Sequence, residues 1–260
     1  MFYWGGANMS EVLMIFAGLF LPLFPLSMVF NTIFDRVRAG RLRVVLLLIW
    51  PQIGLVIANA TGADIPGWII AWALLTSVLY GFRALALREV GLWASFMATS
   101  AWAVLWVVLD YDHTLSQLVA YTLGFSAPLA LLVLLCGELE ERFGAAYTDL
   151  YGGLAQTVPR LSGVLVLVVL AVIATPLFPG FVSMLAALLD STADSLAVAV
   201  MIGVVWLLWS WAGARLLQGL VVGAAHEEKV ADLALNATWF YAAALIVLVI
   251  CGIYSMGGVS

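Results

Sequence analysis

Charge is what this sequence has least of: Asp, Glu, Lys and Arg make up 10% of its 260 residues, against 65% hydrophobic residues. Soluble domains carry about 25% charged residues, so a water-solvated fold is excluded. With a mean hydropathy of +1.13, lipid must be the solvent. Cysteine and histidine are scarce as well. Cys136 and Cys251 fall at or within apolar segments, which excludes a disulfide framework and a thiolate metal site and leaves both as packing residues. His113 and His226 stand alone in loops beside acidic residues, without metal-ligand spacing. No glycine-rich phosphate loop, nucleophile elbow, cysteine–histidine cluster or nucleic-acid-binding basic patch is present. No catalytic, cofactor-binding or metal-ligating residue is therefore expected, and chemistry within this chain is improbable.

What is there is apolar sequence in long runs. A spanning helix needs about 20 apolar residues, and such segments lie near 11–32, 44–61, 66–86, 91–109, 115–137, 162–189, 196–217 and 236–257. The first has no Lys or Arg before it and no small-residue cleavage pattern after it, so it is expected to remain as a span. No sizeable soluble domain fits beside these segments. The expected fold is an all-α integral membrane protein of about eight transmembrane helices, one membrane domain over residues 1–260. Spans one to four occupy 1–114, a second region 115–222, and a loop with the last span 223–260.

Charge placement orients the spans. With each segment crossing once, all ten basic residues fall on one side: Arg36, Arg38, Arg41, Arg43, Arg83, Arg88, Arg142, Arg160, Arg215 and Lys229. The positive-inside rule makes that side cytoplasmic and both termini external. Glu11, Asp64, Asp110, Asp112, Asp190 and Asp194 then lie outside without a basic partner, so the acidic pI of 4.8 reflects topology.

The sixth segment is too long for one straight span, since its roughly 28 residues would reach about 42 Å against a hydrocarbon core of about 30 Å. Within it lies Thr175-Pro176-Leu177-Phe178-Pro179-Gly180, where two prolines and a glycine remove helix hydrogen bonds. The helix is expected to break there. The freed backbone groups then face either a water-filled cavity or packed protein. Thr122, Ser126, Gln117, Thr175 and Ser183 could likewise line such a cavity or bond to a preceding carbonyl. Trp206, Trp209 and Trp211, near Arg215, read as an interfacial aromatic belt.

Residues 117–220 resemble the second half of the antiporter-like membrane subunits shared by respiratory complex I (NADH-quinone oxidoreductase), Mrp antiporters, membrane-bound hydrogenases and inorganic-carbon pumps. Four features carry the resemblance. They are the helix from Thr122-Leu123-Gly124-Phe125-Ser126-Ala127-Pro128 into a leucine-rich run, the connection from Glu138-Leu139-Glu140-Glu141-Arg142 through Asp149-Leu150-Tyr151-Gly152-Gly153-Leu154 to Pro159, the broken helix around Phe178-Pro179-Gly180-Phe181-Val182-Ser183, and the following span ending in aromatics and Arg215. Leu87-Arg88-Glu89-Val90-Gly91-Leu92 is similar to the segment opening the family's preceding helix. Family members run to about twice this length, in two inverted five-helix units.

The resemblance implies a proton-transport fold, yet the residues depart from it where the family carries charge. Leu123 stands at the family's histidine position, Ala127 at a lysine found in some members, and Met184 at the broken-helix charge. No ionisable residue lies in the middle of any expected span, although such groups mark ion pathways. The expected site is therefore a charge-free cavity at Thr175, Pro176, Pro179, Gly180, Ser183 and Met184. A docking loop would use Glu138, Glu141, Arg142, Asp149 and Tyr151, or be an ordinary amphipathic surface loop. The implied role is an accessory or scaffold subunit of an ion-translocating or energy-coupled complex in a bacterial or archaeal inner membrane. Its partners would be lipid, other membrane subunits including a full-length antiporter-like homologue, and a cytoplasmic catalytic subunit. A neutral-solute path for carbon dioxide uptake and a quinone-site subunit are the alternatives.

Overall fold

The computed structural model describes residues 9–62, 64–148, 152–224 and 230–256. These fold into eleven helices: α1 (Met9–Phe20), α2 (Ser27–Arg36), α3 (Gly40–Ala60), α4 (Gly67–Ala84), α5 (Val90–Leu109), α6 (Leu115–Phe143), α7 (Leu154–Thr157), α8 (Pro159–Val172), α9 (Pro179–Asp194), α10 (Leu196–Val221) and α11 (Leu235–Met256). Six of them, α3, α4, α5, α6, α10 and α11, are long and apolar enough to cross a membrane. The remaining apolar length sits in two pairs of shorter helices, α1 with α2 and α8 with α9.

Proline placement explains most of these boundaries. Pro66 precedes α4, while Pro159 and Pro179 open α8 and α9 at positions where the missing N–H would be unpaired in any case. Pro176 and Pro179 break α8 from α9 as expected. The first apolar segment, expected as a single span over 11–32, is also broken, because Pro22 and Pro25 stop α1 at Phe20 and α2 resumes at Ser27. Pro51 and Pro128, each alone within a long apolar run, stay inside α3 and α6. A Thr114/Gln117 capping box starts α6, and Gly144 ends it in the left-handed conformation, φ 77°.

The bundle is organised around α5, which packs against α2, α3, α4, α6, α9 and α10. Every α5 residue except Leu92 and Leu109 is buried. A helix apolar on all sides can only be central, and here Trp93, Trp102 and Trp106 fill the space around it at no more than 1% exposure. Phe30 of α2 meets Trp102 edge to face at 4.8 Å, and Phe125 of α6 meets Trp209 of α10 the same way at 5.7 Å. By contrast α3, α10 and α11 lie at the periphery, where Val56, Leu207, Ile246 and Ile250 are exposed.

The connections gather charge at two ends. At one, Asp110, Asp190 and Asp194 gather about Tyr111, and His113 Nε2 lies 2.8 Å from Asp190 Oδ2. At the other, Arg88–Val90 and Ala146–Thr148 form a short antiparallel bridge through Val90 N–H to Ala146 O at 2.9 Å and Thr148 N–H to Arg88 O at 2.8 Å. That bridge ties the α4–α5 turn to the chain after α6.

Candidate functional site

Each break leaves backbone carbonyls without helical partners, and in hydrocarbon an unsatisfied group costs several kcal/mol. At the first break the partners are indoles. Trp106 Nε1 donates to Leu21 O at 3.0 Å, Trp72 Nε1 to Phe24 O at 2.6 Å and Trp50 Nε1 to Leu19 O at 3.2 Å, while Phe24 N–H donates to Thr76 Oγ1 at 3.1 Å. These donors come from α3, α4 and α5, so three long helices hold one break. Gly54 of α3 permits the approach, because a Cβ there would stand 2.7 Å from Leu21 N.

The second break uses the same device. Trp206 Nε1 donates to Ala174 O at 3.2 Å, and both the Thr175 hydroxyl (2.9 Å) and Thr175 N–H (3.2 Å) bond back to Leu170 O. Ser183 Oγ donates to Pro179 O and Tyr121 O, each at 3.1 Å, tying α9 to α6. Ala174 and Leu177 are held at φ of 56° and 85°, a strained left-handed conformation for residues with a Cβ. Gly252 of α11 lies directly against the Leu177 carbonyl, where a side chain would collide with backbone.

Pro176, Pro179 and Gly180 therefore form the break, with Gly180 and Pro179 against Gly124 of α6. Met184, fully buried, packs in the core; Ala127 is half-buried against it; Leu123 is 39% exposed on the outer face of α6. Leu123 and Met184 thus point to different surroundings. Thr122 Oγ1 bonds to Leu118 O at 2.8 Å, Ser126 Oγ accepts from Trp102 Nε1 at 3.0 Å, and Gln117 caps α6. The hydroxyls are occupied by protein partners.

Among the described residues the buried polar groups are Ser, Thr and Asn side chains, tyrosine hydroxyls, indole N–H groups and the Gln52 amide; no Asp, Glu, Lys, Arg or His is buried. Asn31 and Thr99 bond at 3.2 Å, Ser27 and Tyr80 at 2.8 Å, and Ser77 and Ser100 exchange bonds with each other's carbonyls at 2.8 and 2.7 Å. Such groups exchange hydrogen bonds without changing charge near neutral pH. Of the three tryptophans read as a belt, only Trp211 is exposed: Trp209 is fully buried and donates to Ser100 Oγ at 2.8 Å.

The expected docking loop begins as helix. Glu138 and Arg142 lie in the last two turns of α6 and pair at 2.6 Å, and Arg142 Nε donates to Ala231 O at 3.0 Å. Asp232 accepts from the N–H groups of Arg160 and Leu161 at 3.0 and 3.1 Å, capping α8. These residues join α6, α8 and the chain before α11. Glu141 is exposed, and Asp149 and Tyr151 lie outside the described residues, as do His226 and Lys229. The Trp–carbonyl pairs carried no sequence signal, because donor and acceptor stand 31 to 85 residues apart and meet only once the helices pack.

At the acidic end, burial and the neighbouring Asp64 and Asp194 raise the Asp110 pKa above the usual carboxylate value. Burial, then Asp194, pushes Tyr111 up to about 12. Four acids converge there, with His113 set edge to face on Tyr121 at 5.4 Å.

Fold and site together define a class: a multi-pass helical membrane protein with two broken helices packed about a central span, the fold of antiporter-like membrane subunits. The solved structures it matches carry that fold. A chain of respiratory complex I from Thermus thermophilus with bound NADH superposes with a TM-score of 0.80 at 21% identity, over 94% of this chain and 54% of that one. A chain of the Mrp complex from Dietzia sp. DQ12-45-1b gives 0.74 at 14% identity, over 95% and 56%. A chain of the membrane-bound sulfane sulfur reductase, an archaeal respiratory membrane complex, gives 0.78 at 17% identity, over 95% and 53%. The sequence given thus spans about half the length of these chains. No family model matches it, and no curated protein matches it by sequence.

Proposed function

We propose that this chain is a structural, non-conducting membrane subunit of a multi-subunit ion-translocating complex, assembled beside other membrane subunits. The observation that carries this reading is the capping of both breaks. Carbonyls that an ion or water chain would use accept instead from Trp50, Trp72, Trp106 and Trp206, with no Asp, Glu, Lys, Arg or His side chain buried among the described residues. A proton path needs groups that take and release protons or an ordered water wire, and fixed indole donors supply neither. The broad outward faces of α3 and α11 offer apolar surface to lipid or to a neighbouring subunit. Each broken pair is read as one crossing, giving eight crossings with the arginine-rich end cytoplasmic and both termini outside.

Reconstitution of the purified chain in liposomes tests this. Proton and sodium flux should equal that of empty vesicles, and a tagged copy in mild detergent should bring down larger membrane subunits. Robust flux that changes at Thr175 to Ser183 abolish would overturn the reading.

A further inference from the structure

A cavity of about 650 Å³ opens at the arginine-rich end, and no residue of either break lines it. Its walls are the end of α4, the α4–α5 turn, the first turn of α5 and the last third of α10. Arg83, Arg88 and Arg215 line it, and no carboxylate does among the described residues. Arg83 also lines the adjoining pocket with Asp35, where its guanidinium lies over the Phe96 ring at 5.3 Å.

Trp93 also lines this cavity. It is 1% exposed, and its indole N–H has no hydrogen-bond partner. That is exceptional here: Trp50, Trp72, Trp102, Trp106, Trp206 and Trp209, the other buried or half-buried tryptophans among the described residues, all donate. A buried unpaired donor implies an acceptor supplied from elsewhere. Phe82 and Trp211, 62% and 56% exposed, stand on the outer faces of α4 and α10 beside the arginines. The cavity thus joins a cationic, donor-rich pocket to an apolar wall at the membrane boundary.

We propose that this cavity holds the phosphate headgroup of an anionic phospholipid whose acyl chains lie along Phe82 and Trp211. Guanidinium groups match phosphate oxygens in charge and geometry, basic pockets at the ends of membrane helices select anionic headgroups, and the volume lies in the range of small-ligand sites. A soluble anion would use the arginines but leave the aromatic wall unexplained.

Native mass spectrometry of the purified full chain, titrated with phosphatidylglycerol or phosphatidylcholine of identical acyl chains, reads the site. Phosphatidylglycerol should be retained about tenfold or more in preference. R83A/R215A should remove that preference, and R36A/R38A, at other arginines, should keep it. W93F removes the indole N–H and keeps a six-membered aromatic ring; it should weaken phosphatidylglycerol several-fold in protein whose helical circular dichroism matches wild type, which keeps the test decisive if the double variant does not fold. Equal retention of the two lipids, equal loss in R36A/R38A, or wild-type affinity in W93F would overturn the proposal. Release by millimolar inorganic phosphate would replace the lipid with a soluble anion, and displacement by a polyglutamate peptide would assign the cavity to an acidic protein segment; either result overturns it.

Discussion

The indole N–H of Trp106, in the last turn of the central helix, donates at 3.0 Å to the carbonyl of Leu21, where the first broken helix stops. One buried side chain thereby fills the core and satisfies a backbone group that Pro22 and Pro25 prevent the helix from using. Trp206 and Ala174 repeat the arrangement at the second break.

Trp106→Phe preserves most of the ring and removes the donor. Leaving the Leu21 carbonyl unsatisfied should cost about 1–3 kcal/mol, read as a lower melting temperature in detergent. Trp211→Phe, at an exposed position, should stay within about 0.5 kcal/mol of wild type. Equal effects of the two changes would dismiss the capping role.

Met184 is fully buried where the resemblance places a charge. Met184→Lys should destabilise the chain by about 3 kcal/mol or more, since an unpaired buried charge has no compensating partner among the hydroxyls nearby. Proton flux in liposomes should remain at background, because one charge without a relay does not make a path.

Leu177 is held at φ 85° with its side chain 55% exposed. Leu177→Gly relieves the left-handed strain while sacrificing little burial, so stability should be unchanged or rise by up to about 1 kcal/mol. Leu177→Val should lower it.

Gly252 marks where α11 touches the second break. Gly252→Val should push α11 off the Leu177 carbonyl and destabilise by about 1–3 kcal/mol, with proteolysis accelerated in the connection before α11. Gly203→Val, open to the surroundings on α10, serves as the control and should be near neutral.

Asp110 has a folded-state pKa above its ordinary 3.8, first from burial and then from Asp64 and Asp194. The native state therefore holds more protons than the unfolded one just above pH 3.8, so stability falls as pH rises through that window. Asp110→Asn should flatten this segment of the stability–pH curve and raise stability at neutral pH by less than about 1 kcal/mol after solvent screening. A steeper curve in the variant would refute the assignment.

Much of the architecture was legible because lipid leaves few choices. Four of the six long helices, α4, α5, α10 and α11, follow expected segments closely; α3 begins earlier, at Gly40, and α6 runs on to Phe143. Thr175 to Gly180 announced the second break through paired prolines. The first break was signalled equally by Pro22 and Pro25, but a segment of ordinary spanning length hid it, whereas the excess length around residue 175 did not. The extension of α6 through Glu138 and Arg142 was misread as loop because helical pairing at i and i+4 stabilises charged residues beyond an apolar run.

By itself the sequence determined the solvent, the approximate spans and the lack of mid-span charge, since these follow from composition and local periodicity. Only tertiary structure decided which groups meet the carbonyls freed at the breaks. Their donors are indoles on other helices, brought to the freed carbonyls by packing around α5, and no local pattern records which carbonyl a distant tryptophan will meet.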